Sequence, residues 1–439
     1  MSIADTNHFL EQLLRGCETL PEPVSARLKA LRAAAVERAN ELTVPSTRDE
    51  DWRFTDLSAL YKFSLQPSRA AGVPSEDAMR SLDIPEVTQR LVFVDGCYSP
   101  AWSRLPQESG IRVCNLAQAE PALLDLHLGR LADFQDDAFV AANTAFLQDG
   151  AFVHVSAACE AQRPIHLLFL ATRAASVSYP RVLLRVEAGA QCTVIEDFVG
   201  MAQGGYLTDA VTEIVIEDNA AVSHVRLQRE SDAAFHVGNT AVRVAAHGRY
   251  SGWSVALGGR ISRHTLNVVQ AGEGTEFSID GLALISGRQL ADTSSTVDHA
   301  LAHGRSRQLH KTVVAGGAHA VFNGKIFVRQ GAQQTDSAQQ SRNLLLSDKA
   351  HVDTKPQLEI FADDVKCAHG ATVGQLDEDE LFYLKTRGLS DSAARGLLTY
   401  AFAAEIVERI PVKSIVARIE QTILEKTTIR EKTPAKESA

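Results

Sequence analysis

A recurring turn constrains this chain more than any other feature. Gly189, Asn219, Gly248, Gly274, Gly304 and Gly331 follow one another at separations of 30, 29, 26, 30 and 27 residues. Between them lie short runs that alternate apolar and polar residues, at 182–186, 213–217, 222–227 and 242–244. Period-two alternation of this length indicates strands. A near-constant strand-and-turn period indicates a solenoid in which each coil stacks on the last. No helical pattern shows over 91–365, which excludes helical repeats, and about two short strands per repeat fit a parallel β-helix. A large antiparallel sandwich also spaces its turns regularly and stays open on this signal alone. Aromatic residues make up only 6% while small residues abound, which suits a repetitive core.

The flanks read differently. Residues 1–65 form a helical region: Leu10, Leu13 and Leu14 share a face, and Leu28, Leu31 and Ala35 resume the pattern after Pro21 and Pro23. The charged stretch 48–54 reads as a surface turn whose Trp52 anchors this arm to the body. Residues 66–90 read as a linker and 91–365 as the β-helix core. Residues 366–426 return to helix. Asp377 and Glu380 have capping-box spacing, Ser390 suits an N-cap for a helix running to about Arg409 before Pro411, and Ile415, Ile419 and Ile423 stripe a last helix. The polar stretch 427–439 reads as disordered.

Several function classes are excluded or disfavoured. With a formal net charge of −10 and no long basic run, the chain lacks what phosphate neutralisation needs, so nucleic acid is not an expected partner. No segment approaches eighteen apolar residues without charge, so no membrane span is expected. Asp5, His8 and Glu11 interrupt the first fourteen residues, unlike a signal peptide, and the expected address is cytoplasmic. The six cysteines, Cys17, Cys97, Cys114, Cys159, Cys192 and Cys367, are scattered without a CxxC, so neither a disulfide framework nor a self-contained metal centre is indicated. The nearest approach to a P-loop, Gly324-Lys325, continues with Ile326 and has His319 where the first glycine belongs.

The sharpest chemical feature is Cys367-Ala-His369 within 363–372. On extended backbone both side chains point to one face. Thiolate and imidazole suit iron, zinc or a cluster edge. Two ligands leave a tetrahedral sphere incomplete, and no close-spaced ligands lie elsewhere in the chain, so a second subunit is the economical supplier. The competing reading is a packed cysteine beside a turn histidine. His299, His303, His310 and His319 read as surface or ladder histidines, because an HxxxH pair shares a face only on a helix. Asp292, Asp298 and Asp336 read as turn aspartates rather than the paired acids of a glycosidase. The amide-rich run 333–343 reads as a hydrogen-bonded ladder or satisfied polar turn.

Six blocks then occur in order: Val-Phe-Asn-Gly-Lys-Ile at 321–326, Ala-Gln-Gln-Thr-Asp at 332–336, Ser-Arg-Asn-Leu-Leu-Leu-Ser at 341–347, Pro-Gln-Leu-Glu-Ile at 356–360, the Cys–His segment at 363–372, and Leu-Phe-Tyr-Leu-Lys-Thr-Arg-Gly at 381–388. Together they resemble the core signature of the SufB/SufD family of iron–sulfur cluster assembly proteins. The resemblance is strong over 292–410 and holds only in pattern upstream. It implies a right-handed parallel β-helix flanked by N- and C-terminal helical segments, and a subunit that is not itself an enzyme. It implies pairing with a SufB-like subunit, or a homodimer in its place, and a SufC-like ATPase on the C-terminal helices. A transient iron–sulfur cluster or iron would be shared at the interface, with none held permanently by the lone chain. The subunit would support iron entry, and Cys367 and His369 would be candidate ligands. Leu381, Tyr383, Arg387, Gly388, Tyr400 and Phe402 would belong to the ATPase platform, with internal helix packing as the opposing reading for the aromatics. A cysteine-rich N-terminal motif typical of SufB-like chains is absent. Cys192, the one internal candidate for a sulfur acceptor, reads as a packed small hydrophobe. The branch implied is therefore SufD-like. The alternatives are a SufB-like scaffold, a homodimeric adaptor without a metal role, or a β-helix enzyme acting on polysaccharide, which would require secretion.

Overall fold

The computed structural model describes residues 3–17, 20–22, 25–68 and 71–428. The N-terminal third contains helices α1 (Ile3–Leu14) and α2 (Ala26–Glu41), strand β1 (Gln66–Pro67), helix α3 (Glu76–Ser81), strands β2 (Gln89–Val94), β3 (Cys97–Tyr98) and β4 (Ile111–Asn115), and helices α4 (Pro121–His127) and α5 (Ala138–Ala145). Ser25 starts α2 by accepting from the Leu28 amide, and Asp137 starts α5 by accepting from Phe139 and Val140.

The body is a parallel β-solenoid. Its strands are β5 (Ala151–Val155), β6 (Ile165–Ala171), β7 (Ser176–Ser178), β8 (Arg181–Val186), β9 (Gln191–Gly200), β10 (Leu207–Ile216), β11 (Ala221–Arg229), β12 (Phe235–Val244), β13 (Arg249–Ala256), β14 (Ile261–Gln270), β15 (Glu276–Ile285), β16 (Leu290–His299), β17 (Arg305–Val314), β18 (His319–Val328), β19 (Asp336–Leu345), β20 (His351–Ile360) and β21 (Lys366–Gln375). Even-numbered strands from β8 to β20 stack in one sheet, and odd-numbered strands from β9 to β21 in the other. From β5 onward the strands pair parallel and in register; among the described strands, β2 with β3 and β4 with β5 run antiparallel.

The turn signals form a ladder of their own. Gly189, Asn219, His247, Gly274, His303 and Gln334 all have left-handed backbone. Each donates its amide to a carbonyl one coil further on: Asp218, Ala246, Glu273, Ala302, Gln333 and Asp364 in turn. At Gly248 and Gly304 the left-handed residue is thus the histidine just before the glycine, and near Gly331 it is Gln334. These turns join a strand of the first sheet to a strand of the second, so the period seen in the sequence is that of the coil.

Alternation sorts the side chains. On β10 every residue is buried: Ala210, Ile214 and Ile216 face the lumen, while Leu207 and Val211 face out under the N-terminal helices. A strand covered on both faces reads as nearly continuous apolar sequence. The N-terminal region covers the even sheet through Phe9, Leu13, Leu60 and Phe139 packed on Val211, Phe235, Val237 and Ile261. Trp52 is part of this contact, stacked on Phe139 at 5.8 Å and lying under the Arg263 guanidinium at 3.9 Å. The C-terminal helices are α6 (Glu378–Thr386), α7 (Asp391–Val407) and α8 (Lys413–Thr428), and α7 and α8 cover the odd sheet. Ile406, Val407, Ile415, Ile419 and Ile423 bury against Val225, Trp253, Val255, Leu282 and Leu309. Among the described residues, no helix is long and apolar enough to cross a membrane.

Three boundaries differ from the sequence reading. Helices α4 and α5 fall inside the stretch read as free of helix; all eight residues of α5 are buried, so it carries no amphipathic stripe to betray it. The stretch read as a linker contains β1, which pairs with β7, and α3. The last coil runs on through β21 to Gln375, so Cys367 and His369 belong to the solenoid rather than to the helical region. Of the stretch read as a tail, 427–428 close α8, and 429–439 lie outside the described residues.

Candidate functional site

Among the described residues, β20 and β21 are the last strands of their sheets, and no strand pairs beyond them. The end of the solenoid is therefore an open face. Its side chains are half-buried or exposed where the lumen side chains of the coil below are buried, and it displays Ile360 at 40%, Phe361 at 61% and Val373 at 49% exposure. Long unprotected edges of this kind template pairing with another chain.

Cys367 and His369 stand on this last strand. Register places Cys367 over Ser337 and Ser306, and His369 over Gln339 and Gln308, all four of which are buried lumen residues. The Cys–x–His spacing thus puts both ligand groups on the lumen face of an extended strand. Cys367 is half-buried and packs against the small cluster of Ile326, Val328, Ala332 and Ala362. His369 is exposed, because no further coil covers it. Burial pushes the Cys367 thiol up, the Asp336 carboxylate adds to this, and a backbone hydrogen bond from Ser337 opposes it. The thiol therefore holds its proton at neutral pH, and any metal ligation by it would have to release that proton. Beneath His369, both amide atoms of the buried Gln339 lack hydrogen-bond partners, as does Nε2 of Gln308. The rest of the amide-rich run is hydrogen-bonded as expected: Ser337 meets Ser306 at 2.7 Å, Gln333 accepts from the Asp364 amide, and Asn343 donates to Ser341 and to the Thr372 carbonyl. A polar lumen lies under the thiol–imidazole pair.

Deeper in the same lumen lies a network that sequence reasoning missed. Glu196 accepts from Thr212 at 2.8 Å and meets His224 Nε2 at 3.3 Å, and His224 Nδ1 reaches the Tyr250 hydroxyl at 3.1 Å. Glu230 accepts from Thr208 and contacts His236 at 2.6 Å, and Arg226 contacts His236. Burial would push both carboxyls up, but their histidine neighbours outweigh it and hold them below the ordinary range. Cys192 lies among the apolar residues of this lumen, and burial pushes its thiol up to about 12. Such a thiol is chemically inert.

The three aspartates are not in turns. Asp292 pairs with Arg263 and accepts from Thr55 at 2.5 Å, Asp298 pairs with Arg329 at 2.8 Å, and Asp336 with Arg307 at 2.8 Å. Each partner sits one coil away, which the linear sequence does not show. His299 and His310 are lumen residues, His303 is an exposed left-handed turn residue, and His319 faces outward near His351.

The platform residues divide. Leu381 is buried, Gly388 ends α6 with left-handed backbone, and Arg387 lies over the Tyr383 ring at 5.1 Å. Tyr383 is 56% exposed and its neighbour Phe382, not anticipated from sequence, 69%. Tyr400 and Phe402 turn inward instead: the Tyr400 hydroxyl donates to Glu420 at 2.7 Å, and Lys311 lies 4.6 Å from the Phe402 ring while donating to its carbonyl.

Fold and site define a β-solenoid protein, capped by helices along both sheets, that presents a thiol–imidazole pair at its open end. The family model described as the SUF system FeS cluster assembly SufBD core domain matches residues 169–402, and that of the SufBD protein N-terminal region matches residues 5–167. The chain is 40% identical to an iron–sulfur cluster assembly SufBD family protein of Synechocystis sp. over 89% of each chain. It is 34% identical to the iron–sulfur cluster assembly protein SufD of Escherichia coli over 87% of this chain and 89% of that protein. It is 33% identical to the chloroplastic protein ABCI7 of Arabidopsis thaliana over 92% and 88%. The chain belongs to the SufBD family of the SUF iron–sulfur cluster assembly system.

Proposed function

We propose that this chain is a non-catalytic, SufD-like subunit acting in the cytoplasm, which pairs through the open end of its solenoid with a SufB-like subunit. At that joint Cys367 and His369 supply part of the ligand set for iron or a nascent iron–sulfur cluster, which is cargo rather than a resident cofactor, and the subunit supports iron entry. A SufC-like ATPase docks on α6 and α7. The observation that carries this reading is the position of Cys367 and His369 on the last, uncovered strand, aimed into a polar lumen. Soft and borderline ligands in a half-complete set suit iron and sulfide. The exposed Phe382 and Tyr383 supply the aromatic anchors that such a docking needs.

The test is co-expression with SufB-like and SufC-like partners, anaerobic purification, and iron and sulfide analysis. Cys367→Ala and His369→Ala complexes should assemble and melt like the wild type yet lose most of their iron and sulfide. Full loading of the double variant would leave an adaptor without a metal role. Phe382→Ala with Tyr383→Ala should weaken retention of the ATPase by at least about 10-fold, because truncating anchor residues commonly costs 2 kcal/mol or more; unchanged retention would remove the platform from α6.

A further inference from the structure

A cluster of imidazole and carboxylate groups lies apart from the Cys–His pair. His319 opens β18 and His351 opens β20, and the two are register partners in the even sheet. Asp353 follows His351 by two residues on the same strand and so shares its outward face. His319 Nε2 lies 2.8 Å from Asp353 Oδ2, and His351 Nε2 lies 3.2 Å from the same oxygen. The two rings are 5.0 Å apart, centroid to centroid, and the three ligand atoms lie within 4.8 Å of one another.

We propose that His319, His351 and Asp353 form a binding site for a divalent first-row transition ion. Two neutral imidazoles and one carboxylate are the donor set of open, three-ligand sites for ferrous iron and of many zinc sites. Adjacent ligands bonded at about 2.1 Å and near 90° stand roughly 3 Å apart. Two of the three separations already have that value. The strands fix the backbone: the His319 amide donates to Gln289 and the His351 amide to Ala318. Both imidazoles meet one carboxylate oxygen, His319 through a hydrogen bond. An ion would replace those contacts with bonds from both Nε2 atoms and keep the protons on Nδ1.

Exposure grades across the site, with the His319 and Asp353 side chains at 27% and 25% and His351 at 66%, so one side stays open to water or an incoming ligand. Open positions make for exchange rather than permanent storage. The site lies on the outer face of the even sheet, whereas Cys367 and His369 face the lumen from the odd sheet, so neither needs the other. The proposal therefore goes beyond the reading of the Cys–His pair and survives its failure.

The experiment is anaerobic titration of the untagged full-length chain with Fe2+, and separately with Co2+ read by its visible absorption. One equivalent of either ion should bind, and the Co2+ spectrum should lack thiolate-to-metal charge transfer. His351→Ala and Asp353→Asn should weaken binding by more than about 10-fold, the least that disturbing a metal's immediate surroundings costs. Cys367→Ser with His369→Ala should leave it unchanged. His351 is mostly exposed, so its variant should keep the wild-type melting temperature; His319→Ala is the companion change. No binding by the wild type, or equal binding by the His351 and Asp353 variants, overturns the proposal. A thiolate band lost in the Cys367 variant overturns it too, by placing the ion at the other site.

Discussion

Glu213 lies with no solvent exposure on the outer face of β10, where it pairs with the equally buried Arg181 at 2.5 Å. It also accepts backbone hydrogen bonds from Gly129, Arg130, Leu131 and Ala132, at 2.8 to 3.2 Å. Burial pushes its carboxyl up, but Arg181 and the loop amides outweigh this and hold it below the ordinary range. Removing one partner of such a pair strands the other charge, so Glu213→Ala should cost about 3–5 kcal/mol, read from the urea midpoint; a loss under about 1 kcal/mol would contradict this. The lumen histidines set a pH dependence. Burial lowers His299 to about 4 and His310 to about 3, so the folded state stays neutral while the unfolded chain, titrating near 6.5, takes up protons. The contribution of these two groups should therefore be flat above about pH 7 and fall as the pH drops from about 6.5 towards 4 and then 3, by a few kcal/mol for each group. Melting curves across that range test this, and His299→Gln should flatten its share; an unaltered profile would count against the assignment. None of these pairings was legible in the sequence, because Arg181 and Glu213, or His319 and His351, are neighbours only through the stacking of coils.

At the scale of the element, the turns carry the specification. Asn219 holds φ at 58° with its amide bonded to Ala246. Asn tolerates this region, whereas a β-branched residue does not. Asn219→Val should cost about 1–2 kcal/mol while Asn219→Gly stays near neutral; denaturant titration of the pair checks it, and equal stabilities would sink the strain argument. The same turns made the solenoid readable, since all but the last leave a Gly or Asn, or sit beside a Gly, at the coil period, and Gln334 of the last follows Gly331 by three residues. Strand content was readable from alternation, and α7 and α8 from their caps and the Ile415, Ile419, Ile423 stripe. What escaped had no local signal. Helix α5 is buried all round, and the last strand, mixed polar and small, looks like a loop until β19 is beside it. The Cys–x–His spacing showed that both groups share a face, but only register could show that the face is the lumen.

The solenoid is covered along both sheets and open at the end formed by its last coil. Its N-terminal coils sit beneath the α1–α5 region and its odd sheet beneath α7 and α8, while β20 and β21 carry exposed edges and half-exposed side chains. In a stacked array each coil draws stability from its neighbours, so the terminal coil with one neighbour is the weakest. The account rests on this end being a joint that a partner closes over Cys367 and His369. Amide hydrogen exchange across residues 351–375, in the isolated chain and in complex with a SufB-like subunit, measures that most directly. The account predicts that these amides exchange faster than those of β10–β15 in the isolated chain and slow by at least about 10-fold in the complex, while the rest of the solenoid changes little. Equal exchange of 351–375 in both states, with protection arising elsewhere, would contradict it.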